Sequence, residues 1–409
     1  MRLLLVAAAL LITTDVLPPQ PVSALEGTWR ARLQDGWTRT NGDRWISFQL
    51  DLTDGDNLGM GVPLSELSGL GMRDDRWTAA NVQFTLNRDA GSLSFKGSFD
   101  DGAGSGTWRF SANPEYARAI QQTSRTLTAR DLLRLAIHDL SRSFIASIQA
   151  EGYKTADIDD LVRLRIHGVD ATYIQGLRKA GYDKLSLDDL VRSRIHGATP
   201  QYVQALADAG YRSLAMDDVI RTRIHGATPA FIQEVKTAGF DKLSVDDLVK
   251  MRIHGVSPEF IREMRGLGYK DLAIEDLVKM RIHGVSADFL KEMAALGYSN
   301  PPLGDVVSMR IHGVSSAFVK ELAALGYTKL SIDDLVKMRI HGVTPEFIRE
   351  LNGLGYGSLP SERLVQFRIH GVDGDFIRDV QKAGMKDMTA QDLVDLSIHG
   401  GRRWLRRMQ

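Results

Sequence analysis

The sequence predicts an α+β protein of two domains, a small antiparallel β domain followed by an all-α solenoid of two-helix, 29-residue repeats. Three observations predict it. All ten histidines fall at a constant spacing of 29 residues. Each interval between them holds two runs of helical apolar spacing, bounded by capping residues. The residues ahead of the first histidine alternate apolar and polar with a period of two, between Gly/Asp turns.

The first 24 residues read as a signal peptide. Arg2 supplies a short positive region, Leu3 to Ile12 is an unbroken apolar stretch, and Val22-Ser23-Ala24 offers the small residues that cleavage needs. Cleavage is expected near Ala24. The apolar stretch is too short to span a bilayer, which takes about 20 residues. This predicts a periplasmic or secreted protein with no integral membrane span.

Residues 25–113 are expected to form the β domain. Five of the six tryptophans lie here (Trp29, Trp37, Trp45, Trp77 and Trp108), and no histidine does. Ile46-Ser47-Phe48-Gln49-Leu50 and Val82-Gln83-Phe84-Thr85-Leu86 alternate as strands of a half-buried sheet. Five to seven strands are expected, curled as a small half-barrel. The glycine-rich run Asp101-Gly102-Ala103-Gly104-Ser105-Gly106 reads as a loop between strands. A helical connector is expected over 114–127.

Residues 128–409 are expected to form the solenoid, ten repeats with the last truncated. The histidines that mark the repeats are His138, His167, His196, His225, His254, His283, His312, His341, His370 and His399. One unit runs from Ser331 to Leu359. Ser331 is an N-cap with Asp334 placed to reach back to it, and Gly342 ends the first helix in a left-handed conformation. Thr344 caps the second helix, Pro345 takes its first position, and Gly355 ends it. Ile332, Leu335, Val336 and Ile340 follow helical spacing. Isoleucine precedes every histidine, from Ile137 to Ile398, so this position is expected in the core between stacked repeats. A single helix pair cannot bury its own face, so neighbours must stack. The end repeats are atypical, as caps of a stack are. Asp139 replaces the glycine of the first, and the last finishes in Arg402-Arg403-Trp404-Leu405-Arg406-Arg407-Met408-Gln409. That arginine cluster reads as a polar cap, ahead of contact with an anionic membrane surface.

The chain has 409 residues, with 51 basic and 51 acidic side chains and no cysteine. Charge balance gives no support to a nucleic-acid partner. The absence of cysteine excludes disulfides, thiolate metal sites and a cysteine nucleophile. No His-Glu-x-x-His, Gly-x-Ser-x-Gly or phosphate-cradling loop is present. Histidines on adjacent repeats, about 8–10 Å apart, are too distant to share a zinc ion. Each is expected in the last turn of its helix, next to the terminal carbonyls. Ten such side chains could also titrate together near pH ~6.5. Arginine precedes isoleucine in eight copies: Arg165, Arg194, Arg223, Arg252, Arg281, Arg310, Arg339 and Arg368. These are expected to form an inter-repeat ladder to the aspartate of the neighbouring unit, or a strip for an acidic partner.

The segment Leu335 to Glu350 resembles tandem repeats that follow the peptidase domain in some bacterial beta-lactam-sensor-like (antirepressor) metallopeptidases. Val62 to Leu70, with Gly97 to Phe110, is similar to the small β region beside those repeats. The peptidase domain and its zinc motif are missing, so the resemblance carries over no catalytic residue and no beta-lactam sensing.

Together these readings predict a non-enzymatic, extracytoplasmic scaffold without a cofactor, binding a protein partner through its repeats in envelope sensing or signalling. One alternative is small-ligand or glycan binding by the tryptophan-rich β domain. The other is a hydrolase using repeated histidines and acids.

Overall fold

The computed structural model describes residues 25–34, 44–71, 77–120, 127–154 and 156–403. The expected signal peptide, Trp37 and the terminal residues 404–409 lie outside them. The chain divides into two compact units, up to Val203 and from Gln204 onward. This boundary falls inside the repeats, not at the composition change near residue 113. Each repeat packs chiefly on its immediate neighbours, so composition does not dictate where such a stack divides.

The first unit opens with an antiparallel sheet. Its strands are β1 (Leu25–Gln34), β2 (Trp45–Leu52), β3 (Asn57–Pro63), β4 (Leu67–Ser68), β5 (Ala79–Arg88), β6 (Gly91–Asp100) and β7 (Ala103–Ala112), in spatial order β3-β2-β1-β7-β6-β5-β4. β3 and β4 lie on opposite edges, yet only the 3-10 turn Leu64–Glu66 joins them. Such a link reaches at most about 14 Å, so the sheet must curl until its edges approach. The curl encloses an aromatic core. Trp29 lies 5.7 Å from Phe84 and 5.4 Å from Phe99 between ring centroids, and Phe84 stacks on Phe95 at 4.8 Å.

The glycine-rich run is strand, not loop. Only Asp101 and Gly102 turn. Ala103 onward pairs with both β1 and β6. The glycines answer to packing: a Cβ on Gly106 would sit 1.9 Å from the Lys96 carbonyl oxygen, and one on Gly104 would lie 2.8 Å from the Trp29 ring. Strand pairing and a large indole therefore require bare backbone where composition alone suggests a loop.

Pro114–Ile120 is helical, and the expected connector beyond it, residues 121–126, lies outside the described residues. Tyr116 is fully buried and donates from its hydroxyl to the Leu140 carbonyl at 2.6 Å, tying this helix to the first repeat. Asp89, in the β5–β6 turn, accepts from the Arg142 amide at 2.8 Å.

From Ala129 to Ile398 the described helices are nine residues each. Ile332–Ile340 shows why they are so short. Ser331 accepts from the Asp334 amide at 3.0 Å while the Asp334 carboxylate accepts from the Ser331 amide at 3.3 Å, a reciprocal cap. At the other end Gly342 takes φ +69°, its amide donates to the Arg339 carbonyl at 3.2 Å, and the Val343 amide donates to the Met338 carbonyl at 2.8 Å. This Schellman closure brings Val343 and Met338 together, and both are fully buried. Pro345–Gly353 follows, capped by Thr344 through the Phe347 amide at 3.2 Å. Within the second unit, first helices pack on first helices and second on second in neighbouring repeats.

Two further links join repeats. The tyrosine after the second glycine donates to a carbonyl 32 residues on: Tyr298 to Leu330 at 2.8 Å, Tyr327 to Leu359 at 2.6 Å and Tyr356 to Met388 at 2.9 Å. Burial raises the pKa of these phenols, Tyr269 to about 12. Where the core holds Ser193, the facing ring is Tyr173 instead of phenylalanine, and its hydroxyl donates to Ser193 at 2.8 Å. Ser193 in turn donates to the Leu190 carbonyl at 2.9 Å, so the buried hydroxyls are hydrogen-bonded.

The isoleucine before each histidine is not core. From Ile166 to Ile398 it is 52–57% exposed in nine copies, and Ile137 is half-buried. The reason is angular. At about 100° per residue, Leu335, Val336 and Met338 span an arc that contains Arg339 and leaves Ile340 outside. The arginine takes the inward position at the helix end, and the isoleucine is turned to solvent.

Candidate partner-binding surface

The arginine of seven of the eight Arg-Ile-His triplets stacks on the aromatic ring of the preceding repeat's second helix. Arg194 covers Tyr173 at 4.9 Å, Arg252 covers Phe231 at 4.9 Å, Arg281 Phe260 at 5.0 Å, Arg310 Phe289 at 4.9 Å, Arg339 Phe318 at 5.0 Å and Arg368 Phe347 at 5.0 Å. Arg165 does the same on Phe144 at 5.3 Å. Cation–π attraction and burial of the aliphatic stem hold the head in place. The guanidinium also lies against the C-terminus of the preceding first helix. Arg252 Nε points at the His225 carbonyl at 3.5 Å, where a cation is favoured by the helix dipole. Arg223 lies in the boundary repeat.

The expected aspartate ladder exists, but other residues carry it. In four repeats a base at the position two residues before that of the stacked arginine reaches the first acid of the next repeat: Arg134 to Asp159 at 2.5 Å, Arg163 to Asp188 at 2.7 Å, Arg221 to Asp246 at 2.6 Å and Lys250 to Glu275 at 3.2 Å. The second acid, typified by Asp334, caps its own helix. Sequence reading missed this pairing, although repetition of both positions in the copies was a signal for it.

The histidines from His138 to His399 are the C-cap residues of the first helices, with φ near that of His341, −91°. His399 Nδ1 lies 2.7 Å from the Asp395 carbonyl oxygen. His138 is half-buried, and burial, then the charge of Arg134, lowers its pKa. Among the described residues, no group of three histidines or acids could hold a metal ion.

The ends differ from the interior. Asp139 takes the glycine position with φ +52°, a conformation aspartate tolerates better than most residues. Its carboxylate sits between Arg88 at 3.1 Å and Arg165 at 2.5 Å, joining sheet to repeats. These residues, with Trp45, His138 and Arg194, line a cleft of about 610 Å³. At the other end, Ser397 occupies the arginine position. Arg402 fills the vacated slot, stacked on Phe376 at 5.3 Å and bonded to Asp373 at 2.7 Å. Arg402 is thus a cap of the last repeat.

The tryptophans of the sheet are turned inward. Trp29 and Trp108 are buried and donate to the Lys96 and Thr28 carbonyls at 3.1 and 3.0 Å, and Trp77 is buried too. Trp45 alone of the described four lines the cleft. No helix of the described residues is long and apolar enough to cross a membrane. The surface feature that packing leaves unexplained is the exposed isoleucine of nine repeats, in eight of them between an arginine and a histidine of the sequence. Compared with known proteins, the chain matches no family model and no curated protein.

Proposed function

We propose that this chain is an extracytoplasmic, non-enzymatic scaffold that binds a protein partner through its repeat surface, in envelope sensing or signalling. One observation carries the reading. An isoleucine more than half exposed recurs in nine repeats while contributing little to the core. Single exposed apolar residues are ordinary, but a row of them at fixed spacing is the mark of an interaction surface. Within each compact unit the stacked helical repeats supply the matching geometry, the same chemistry at each step.

The test uses the full chain as bait in an envelope extract, beside the variant Ile282→Ser/Ile311→Ser/Ile340→Ser. A protein retained by the native chain and lost with the variant supports the reading. Equal retention by both places function elsewhere, with the cleft at Trp45 the next surface to probe.

A further inference from the structure

The row of isoleucines in the second compact unit is accompanied by a row of cations that no carboxylate of the described residues pairs with. Arg252, Arg281, Arg310, Arg339 and Arg368 are exposed or half-exposed. Among the described residues, no carboxylate lies within 4.0 Å of any of them. Four acids of the same repeats pair with other bases: Glu275 with Lys250 at 3.2 Å, Glu259 with Arg262 at 2.8 Å, Glu346 with Arg349 at 3.1 Å, and Asp333 with Lys337. The Nε atoms of Arg310 and Arg339 are shielded from solvent and have no hydrogen-bond partner. Stacking on phenylalanine fixes each guanidinium without supplying a carboxylate. Beside each one stands an isoleucine, Ile253, Ile282, Ile311, Ile340 or Ile369, 53–57% exposed.

Resting on the scaffold reading, we propose that this face takes an acidic polypeptide segment in polyproline-type conformation, with one apolar residue and one carboxylate in every three residues. Neighbouring packed helices lie roughly 8–10 Å apart. Three residues of polyproline-type chain make one turn and advance about 9 Å, so every third side chain returns to the same side. One apolar side chain and one carboxylate per three residues therefore meet one isoleucine and one arginine per repeat. Carboxylates match the guanidinium fork, which makes charge-assisted, two-pronged bonds. A nucleic acid offers anions without the regularly spaced apolar groups. A second copy of the same face would set arginine against arginine.

The probe is a synthetic peptide of five Glu-Pro-Ile triplets, in which proline favours the polyproline-type form. Binding to the full chain is measured by fluorescence anisotropy. Three comparisons accompany it: a Lys-Pro-Ile peptide, vesicles of anionic phospholipid, and the Ile311→Ser/Ile340→Ser variant. Both substitutions are at exposed positions, and an unchanged melting curve shows that the variant is folded. The expected result is saturable binding of the acidic peptide, at least tenfold weaker for the lysine peptide and at least tenfold weaker for the variant. Equal binding of the two peptides, no loss in the variant, or no binding at all overturns the proposal. Binding to vesicles without binding to the peptide overturns it in favour of a membrane surface. If the scaffold test finds a partner that depends on the isoleucines while this one fails, the scaffold stands and only the chemistry of its partner is wrong.

Discussion

The sheet and the repeats use their apolar residues differently. In the curled sheet Trp29, Phe84 and Phe95 converge on one interior, and the indole N–H of Trp29 is spent on a backbone carbonyl. In the repeats each helix pair buries Leu335, Met338 and Phe347 or their equivalents but turns Ile340 outward. Packing thus accounts for Trp29, Phe84 and Phe95 of the sheet, whereas the repeats carry a residue that packing does not demand. A recurring position is evidence of a shared requirement. Whether that requirement is the core or the surface depends on the angle at which the helix presents it.

The comparison breaks most visibly at Trp29. Trp29→Ala should cost about 3–5 kcal/mol, the range for emptying a large buried site. Urea unfolding followed by fluorescence of the remaining tryptophans measures it. A cost near that of a surface change would mean the sheet interior is loosely packed. The repeats are sharpened by a pair of substitutions two residues apart. Met338→Ala should cost about 2–5 kcal/mol, and Ile340→Ala no more than about 0.5 kcal/mol, both read from thermal or urea unfolding monitored by helix content. Equal costs would return the isoleucine to the core.

The smallest effect is at the junction, where His138 is held by burial below the ordinary imidazole pKa. Its folded value lies under its unfolded one, near ~6.5. The folded state then binds fewer protons, so its contribution is present above the unfolded value and is lost as pH falls through the folded value. Stability should decline on acidification from about pH 6.5, and His138→Gln should lessen that decline. An identical acid slope in native and variant proteins would show that His138 is not enclosed.

Much of the helical part was legible because its signals are local. Ser331, Asp334, Gly342, Thr344 and Pro345 act on backbone groups within a few residues, so their caps can be read from spacing. The ladders were less legible. Arg134 to Asp159 and Tyr327 to Leu359 join residues 25 and 32 positions apart. Periodicity shows that both members repeat without showing which meets which. The run Ala103 to Gly106 was misread for a related reason: a glycine required by a neighbouring strand or indole looks, in one dimension, like a glycine required by a turn.

By itself the sequence determined that the chain has two kinds of structure, a 29-residue helical repeat and a twisted antiparallel sheet. Period, caps and turn residues act at short range and leave their mark in order along the chain. Only the tertiary structure decided that Arg339 faces inward to stack on Phe318, that Ile340 faces solvent, and that Arg402 replaces the arginine missing at Ser397. Those outcomes depend on which side chain of one repeat meets the ring and helix end of another, and helical spacing within a single repeat does not contain that information.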